Sequence, residues 1–220
     1  MTDPANVRAG YDRVARRYAD EFNDELSHRP LERALLAALG ELAGLDDSPG
    51  VVGDLGAGPA HVGRHLRQLG LDVVAIDLSP AMATTALRRN GVPAAAGSLV
   101  ALPIANGSLA AAVVFYAVIH LDDTGLAACA RELARVLRSG GVVVVSFHVG
   151  AEVRHVDEWW GEAVDLDFRF YEPATIGAVL ESAGLAVEAT LVRAPIPDIE
   201  VQTQRAYVLA RKVASRDAAH

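Results

Sequence analysis

The 220-residue chain has little of several residue types. It contains one cysteine, Cys129, and aromatic residues make up only 5% of it. A single cysteine excludes an internal disulfide, so we expect Cys129 to be a small, buried residue in a helix. Lysine occurs once, as Lys212, and the net charge is −8. This charge argues against nonspecific binding to nucleic acid or to an anionic membrane, since both require a basic protein surface.

Long apolar runs are absent as well. No stretch approaches the roughly 20 apolar residues of a transmembrane helix, and Met1-Thr2-Asp3-Pro4 lacks the basic-then-apolar pattern of a signal peptide. We therefore expect a cytoplasmic protein without a membrane partner, and the sequence is compatible with a monomer or a homodimer. Hydrophobic residues nevertheless make up 51% of the chain, which is enough for a sizeable globular core.

Through the middle of the chain, short apolar runs alternate with segments of helical periodicity. This alternation predicts an α/β fold with a mostly parallel sheet, whose sites lie at the carboxyl ends of the strands. The predicted strands are Val51–Leu55, Val73–Asp77, a short run around Ala94–Gly97, Ala111–Tyr116 and Val142–Phe147, and the predicted helices are His61–Leu69, Ala81–Arg89 and Thr124–Leu137. The turn Ser139-Gly140-Gly141 is expected to cap the last helix.

Two further regions lie outside this alternation. Apolar residues at helical spacing from Val7 to about Leu45 predict N-terminal helices, the second starting at Pro30. From His148 to Tyr171 the sequence has no clean period and is dense in histidine, tryptophan, acid and arginine. We expect an irregular lid or the wall of an acceptor pocket there.

The C-terminal part returns to regular structure. Pro173 is expected to open a helix to about Ala183, followed by strands over Leu185–Ala194 and Arg205–Arg211. We thus predict one domain in four parts. These are a helical cap (1–47), a cofactor-binding core (48–147), an acceptor-side lid (148–172) and a terminal helix with two strands (173–212).

The most informative segment is Asp54-Leu55-Gly56-Ala57-Gly58-Pro59-Ala60. Its glycines let the backbone bend and approach a ligand, Pro59 suits the first turn of a helix, and a helix N-terminus favours an anion. Asp77 ends the next strand, where a carboxylate can bind ribose hydroxyls. A dinucleotide-binding Gly-x-Gly-x-x-Gly template needs a third glycine where His61 stands, which disfavours a nicotinamide oxidoreductase.

This segment resembles motif I of the class I S-adenosylmethionine-dependent methyltransferases, Asp/Glu-x-Gly-x-Gly-x-Gly, with alanine in the last place. The resemblance extends over roughly Tyr11 to Lys212. It continues through Asp77-Leu78-Ser79-Pro80-Ala81-Met82, Gly97-Ser98-Leu99, Tyr116-Ala117-Val118-Ile119-His120 and Leu137-Arg138-Ser139-Gly140-Gly141. It implies a Rossmann-like, doubly wound sheet of seven strands, mostly parallel with an antiparallel last strand, preceded by N-terminal helices. It also implies S-adenosylmethionine as the cofactor and S-adenosylhomocysteine as its product, with no metal.

The resemblance also implies which residues hold the cofactor. The backbone of the glycine loop would contact the methionine moiety, Asp77 the ribose, and the residues after the second and third strands the adenine. Asp54 would orient the loop or a bound ammonium group, or only satisfy local amides. The implied contacts are Tyr11, Tyr18, Arg29, Asp54, Gly56, Ala57, Gly58, Asp77, Leu78, Met82, Ser98, Leu99 and Tyr116.

Several of these positions have a purely structural alternative. Met82 has the spacing of a core residue, and Tyr11 and Tyr18 have that of core aromatics on one helical face. Arg29 is either a fork for the cofactor carboxylate or a surface arginine. Relatives often carry an acid where Ser98 stands, and a serine accepts from the adenine amino group more weakly.

The acceptor side is less defined. His120 and His148 follow the fourth and fifth predicted strands, and each is a candidate general base or a histidine with only a structural role. His155, Trp159, Trp160 and Arg169 would line an acceptor pocket, or pack within the lid. Asp122 and Asp123 raise the question of a metal, but adjacent acids at a helix start are typical of capping.

We therefore expect in-line methyl transfer from S-adenosylmethionine to a small molecule, at oxygen on base rates. The alternatives are a non-catalytic module that binds S-adenosylmethionine, and the disfavoured nicotinamide oxidoreductase.

Overall fold

The computed structural model describes residues 3–44 and 50–213. Nine strands and six α-helices alternate along these residues. The helices are α1 (Pro4–Phe22), α2 (Pro30–Gly44), α3 (His61–Gln68), α4 (Pro80–Asn90), α5 (Asp123–Val136) and α6 (Pro173–Ser182). The strands are β1 (Val51–Leu55), β2 (Val73–Asp77), β3 (Ala94–Ala96), β4 (Leu109–Phe115), β5 (Leu137–His148), β6 (Val153–Trp159), β7 (Glu162–Arg169), β8 (Leu185–Arg193) and β9 (Arg205–Lys212). Short 3-10 helices cover Glu25–His28 and Val118–His120.

Seven strands form one sheet in the order β3-β2-β1-β4-β5-β9-β8. The first five are parallel, whereas β9 runs antiparallel to both β5 and β8. The strand order reverses beside β1, between β2 and β4, and a crevice opens there at the carboxyl ends of the strands. The predicted doubly wound sheet with an antiparallel last strand is confirmed.

The sheet buries both faces, because successive residues of its central strands point in opposite directions. In β5, Val143 and Val145 pack in the apolar cluster that holds α5 and α6. Val142 and Val144 pack in the opposite cluster, with residues of α2 and α3. Cys129 of α5 is buried in the first cluster, as predicted.

Helices α1 and α5 begin with side-chain caps. The Asp3 side chain accepts a hydrogen bond from Ala5 N at 2.8 Å and caps α1, which opens on Pro4. The Asp122 side chain likewise caps α5 by accepting from Gly125 N at 2.8 Å. These caps satisfy backbone N–H groups that have no partner inside the helix.

Two local predictions were wrong. Helix α5 ends at Val136 and not at a glycine cap, because Leu137 is already extended and pairs with Leu109 in the sheet. The Ser139-Gly140-Gly141 turn therefore lies within β5. Helix α3 begins at His61, so Pro59 precedes the helix and does not form its first turn.

The segment predicted to be irregular, His148 to Tyr171, is mostly regular. Strands β6 and β7 pair antiparallel in a separate two-stranded sheet, closed by the two-residue turn Trp160-Gly161. The hairpin packs against α1, and Gly10 of α1 lies so close that a Cβ there would come within 3.2 Å of Leu166 Cδ2. The hairpin is therefore held in place by the N-terminal helix.

Some predictions fall outside the described residues. These are the start at Met1-Thr2, the helix end near Leu45 and the boundary at 47/48. No helix in residues 3–44 and 50–213 has the length and apolar character needed to cross a membrane.

Candidate cofactor-binding site

A cavity of about 420 Å³ opens at the carboxyl ends of β1, β2 and β4, beneath α1. Twelve of the residues predicted to be functional line it, which supports the placement of the site at this edge of the sheet. They are Tyr11, Tyr18, Asp54, Gly56, Ala57, Gly58, Asp77, Leu78, Ser98, Leu99, Tyr116 and His120.

The glycine loop after β1 forms one wall of this cavity. Gly56 and Gly58 have positive φ angles of 72° and 54°, which strongly favour glycine. A Cβ at Gly56 would also lie 2.2 Å from Ala117 Cβ, so no other residue fits there. Ala60, in the place of the third motif glycine, has a φ of 58° and thus the same left-handed conformation.

The loop is tied to β2 through Asp77. Its carboxylate accepts hydrogen bonds from Gly58 N at 2.7 Å and from Ser79 N at 2.8 Å. Each oxygen keeps a lone pair for a ligand hydroxyl. Burial raises the pKa of Asp77 to about 6, although the two amide bonds act in the opposite direction.

Asp54 is the more deeply buried acid of the loop. Its Oδ2 accepts from Gly63 N at 2.7 Å, and a side chain at Gly63 would collide with that oxygen. Burial raises the pKa of Asp54 to about 7, while nearby His61 lowers it. His61 in turn contacts Glu25 Oε1 through Nε2 at 2.8 Å. Asp54 therefore supports the loop, and it lies on the cavity wall.

Helix α1 closes the opposite side of the cavity. Tyr11 and Tyr18 lie on one face of the helix, with their ring centroids 6.0 Å apart. The Tyr11 hydroxyl lies 2.7 Å from His120 Nε2. His120 Nδ1 lies 2.9 Å from the Asp167 carbonyl, which can only accept, so Nδ1 carries the proton and Nε2 accepts from Tyr11. Burial lowers the pKa of His120 to about 4, which keeps the ring neutral at pH 7.

Behind these tyrosines lies an aromatic cluster that joins α1 to the hairpin. The ring centroid of Trp159 is 5.9 Å from that of Tyr11 and 5.8 Å from that of Tyr18. Trp159 and Trp160 stack with their ring centroids 4.7 Å apart. We define this aromatic cluster as Tyr11, Tyr18, Phe22, Trp159, Trp160 and Phe168.

The adenine-side predictions divide into two groups. Leu78 and Leu99 line the cavity, with Ser98 beside them. Met82 is fully buried at the start of α4 and does not line the cavity, which agrees with its core alternative. Tyr116 lines the cavity in a left-handed conformation, with a φ of 53°, where the chain turns out of β4.

Arg29 and His148 lie outside the cavity lining. Arg29 is buried between Glu25 and Glu200, at 3.0 and 3.2 Å from their carboxylates. His148 Nδ1 lies 2.7 Å from Thr203 Oγ1, and burial with nearby arginines lowers the pKa of the ring to about 4. Both side chains thus have protein partners of their own.

The residues predicted to contact the acceptor are placed on the hairpin. None of the four lines the cavity. His155 is exposed and lies 3.0 Å from Asp167 Oδ1, while Arg169 lies 3.6 Å from Asp167 Oδ2. Trp159 and Trp160 belong to the aromatic cluster. The hairpin therefore supports α1 and contributes the carbonyl that orients His120.

Sequence reasoning did not assign Glu25, His61 and Asp122 to the cavity lining. Glu25 lies in a short 3-10 helix that no motif marks. His61 and Asp122 each follow the loop after a central strand. Their position at the carboxyl edge of the sheet was a usable signal.

The strand order and the loop at the switch point define a Rossmann-like fold. Residues 52–141 match a family model described as "Methyltransferase domain". With the ordered motifs and the sheet, this match supports membership of the class I S-adenosylmethionine-dependent methyltransferase family.

Known relatives agree with this placement. The malonyl-[acyl-carrier protein] O-methyltransferase of Pseudescherichia vulneris is 32% identical over 164 residues, which are 72% of this chain and 59% of that protein. The demethylmenaquinone methyltransferase of Renibacterium salmoninarum is 33% identical over 147 residues, 65% of this chain and 59% of that protein. The chain thus spans about three fifths of the length of these relatives.

A solved structure shares the fold. It is the Burkholderia thailandensis 1,6-didemethyltoxoflavin-N1-methyltransferase with bound 1,6-didemethyltoxoflavin and S-adenosylhomocysteine. The TM-score is 0.64 at 18% identity, covering 97% of this chain and 92% of that one. Within residues 3–44 and 50–213, no three histidine, cysteine, aspartate or glutamate side chains are grouped as a metal site.

Proposed function

We propose that the protein binds S-adenosylmethionine in this cavity and transfers its methyl group to a small molecule, at oxygen. The observation that carries the proposal is the pairing of Asp77 with Gly58 N on the cavity wall. It brings a carboxylate with free lone pairs against a loop in which Gly56 and Gly58 carry no side chain. A ribose and its attached chain fit this combination of groups.

The residues of the cavity suit the parts of such a cofactor. Asp77 would accept from the ribose hydroxyls, and the backbone of Gly56 to Gly58 would face the methionine moiety. Leu78 and Leu99 offer apolar surface to the adenine. When bound, S-adenosylmethionine supplies a methyl group on a positively charged sulfur, so the protein has only to position the nucleophile and exclude water. Positioning alone can account for about 7 to 11 kcal/mol of the barrier.

His120 is the candidate general base that we retain. It lines the cavity, whereas His148 does not. Because Tyr11 occupies Nε2, a proton from the acceptor would reach His120 through the Tyr11 hydroxyl, or after Tyr11 has moved aside. With a pKa of about 4 the ring is a weak base, so its contribution would be smaller than that of positioning.

Oxygen as the methylated atom is supported by the name of one relative, the malonyl-[acyl-carrier protein] O-methyltransferase. The enzyme of the similar solved structure is named for methylation at N1. A small-molecule acceptor agrees with the net charge of −8, which opposes binding to nucleic acid.

The test is calorimetric titration with S-adenosylhomocysteine and, separately, with NAD. We expect S-adenosylhomocysteine to bind and NAD not to bind; binding of NAD alone would contradict the proposal. Incubation with S-adenosylmethionine and a panel of small hydroxylated acceptors then separates an enzyme from a non-catalytic module. An enzyme yields a product heavier by one CH2 group in mass spectrometry.

A further inference from the structure

The adenine side of the cavity has no acid at the position where relatives often carry one. Ser98 stands in that place, and its Oγ already accepts from Val100 N at 3.3 Å, within its own loop. The hydroxyl keeps a second lone pair, but it is neutral and so accepts from another donor more weakly than a carboxylate does. The exocyclic amino group of adenine is a donor, and a buried donor without a partner weakens binding.

Four carboxylates line the cavity, and three of them, Glu25, Asp54 and Asp77, bind groups of the glycine loop or of residues beside it. Glu25 contacts His61 and Arg29. Asp54 and Asp77 hold backbone amides of the loop and of the residues after β2. These three acids are therefore engaged by other groups of the protein.

Asp122 is the fourth carboxylate. It follows the short helix after β4 and lines the cavity together with Leu121, Thr124 and Gly125. Its Oδ1 accepts from Gly125 N at 2.8 Å and caps α5. Oδ2 has no protein partner in the described parts of the chain, and the side chain is only half-buried. The cap fixes the carboxylate and leaves one oxygen for a ligand.

We propose that Asp122 replaces the missing acid at position 98 and recognises the base of the cofactor, with Oδ2 accepting from the adenine amino group. This inference rests on the proposed function, because it assumes that an adenine nucleoside occupies the cavity. A hydrogen bond from a neutral donor to a carboxylate contributes about 10- to 100-fold in affinity. Asp122 therefore determines specificity for adenine over bases that carry an oxygen at the same position.

Asp122→Asn tests the proposal, because asparagine is as good a helix cap as aspartate. Its amide oxygen must face the Gly125 N–H to keep the cap, so its NH2 group points to where Oδ2 was. That group repels the adenine amino group and suits the 6-oxo group of hypoxanthine. The probes are S-adenosylhomocysteine and its 6-oxo analogue, S-inosylhomocysteine, in calorimetric titrations.

We expect the unaltered protein to prefer S-adenosylhomocysteine by at least tenfold, and Asp122→Asn to lose or reverse this preference. Asp123→Asn is the matched control, because Asp123 is adjacent, exposed and outside the cavity lining. It should leave both affinities unchanged. Thermal unfolding of each variant confirms that α5 remains folded.

The outcomes distinguish this inference from the proposed function. If Asp122→Asn keeps the adenine preference of the unaltered protein, the inference is wrong while the cofactor site stands. If the unaltered protein binds neither nucleoside, the proposed function itself is wrong. Should Asp122→Asn not fold, Asp122→Ser keeps a capping oxygen but removes Oδ2. It should weaken S-adenosylhomocysteine by tenfold or more without strengthening the 6-oxo analogue, and unchanged affinity would refute the proposal.

Discussion

The cavity has two facing sides that are built by different means. The glycine-loop side consists of backbone groups and two carboxylates from residues 54–63 and 77–79, held by hydrogen bonds of 2.7 to 2.8 Å. The opposite side is α1 with Tyr11 and Tyr18. The rest of the aromatic cluster supports it from behind, where α1 packs against a hairpin about 150 residues away in the chain. There Arg13 donates to the Ala163 carbonyl at 2.9 Å. The first side therefore depends on residues close together in the sequence, whereas the second depends on packing between elements far apart in the chain.

The largest expected effect is on the glycine-loop side. Asp77→Ala removes the acceptor for ribose hydroxyls and leaves the amides of Gly58 and Ser79 without their partner. We expect the affinity for S-adenosylhomocysteine to fall at least about 100-fold, since hydrogen bonds to charged groups are lost.

Titration calorimetry measures this loss. Asp72→Ala is the control, because Asp72 precedes the same strand at its opposite end and is exposed. It should bind like the unaltered protein. A variant of Asp77 with unchanged affinity would mean that the ribose is held elsewhere.

The aromatic cluster should show the reverse pattern, a loss of stability with little loss of binding. Trp159→Ala removes ring contacts to Tyr11, Tyr18 and the stacked Trp160. We expect the free energy of unfolding to drop by about 2 kcal/mol, less than for a fully buried tryptophan because Trp159 is half-buried.

Denaturant unfolding gives this value, and S-adenosylhomocysteine affinity should change by less than about tenfold. Val153→Ala on the same hairpin is the control, because Val153 is 48% exposed. A loss of affinity as large as that of Asp77→Ala would show that the two sides do not act separately.

The glycine-loop side was largely predictable from the sequence, whereas the side formed by α1 and the hairpin was not. The strands Val51–Leu55 and Val73–Asp77 have the predicted bounds, because buried parallel strands are continuous apolar runs and the loop after the first strand requires glycines at positive φ. The hairpin was missed. Its turn has positive φ at both Trp160 and Gly161, as in a type I′ turn, and tryptophan is not a residue that signals such a turn.

The site predictions divide in the same way. Tyr11 and Tyr18 were predicted to contact the cofactor from the family resemblance, and their spacing put them on one helical face. That His120 would accept from Tyr11 was not predictable, because the bond joins residues 109 apart in the chain. The Asp167 carbonyl that orients His120 belongs to the hairpin. Such contacts depend on packing between elements and leave no local pattern in the sequence.

A pH titration should separate the two sides further. Asp77 must be ionised to accept two hydroxyl protons, and burial raises its pKa to about 6. Below this pH, binding requires the loss of a proton, so affinity falls as the pH is lowered. For one such group we expect a decrease of about tenfold between pH 7 and pH 5.

Asp54, with a pKa of about 7, acts in the same direction if it must be ionised. The bond between Tyr11 and His120 should not contribute, because His120 stays neutral until about pH 4. Asp77→Asn should therefore show weaker binding with a flatter profile. An equally steep profile in that variant would assign the pH dependence to another group.

The smallest effect is expected at Ala60, where the chain departs from the motif. Its φ of 58° and ψ of 40° cost an alanine about 1 kcal/mol, and glycine would relieve this strain. The Ala60 side chain is fully buried, however, and removing its methyl group costs about 0.8 kcal/mol. Ala60→Gly should therefore change the free energy of unfolding by less than about 0.5 kcal/mol, as measured by denaturant unfolding.

Gly56→Ala provides the contrast within the same loop. It adds a Cβ that would lie 2.2 Å from Ala117 Cβ, in a backbone conformation that disfavours side chains. The free energy of unfolding should therefore fall by several times the change expected for Ala60→Gly. A small change in the free energy of unfolding for Ala60→Gly, beside a large loss for Gly56→Ala, would show that position 56 requires glycine much more strongly than position 60 of the same loop. A large gain from Ala60→Gly would instead mean that strain at this position outweighs its packing.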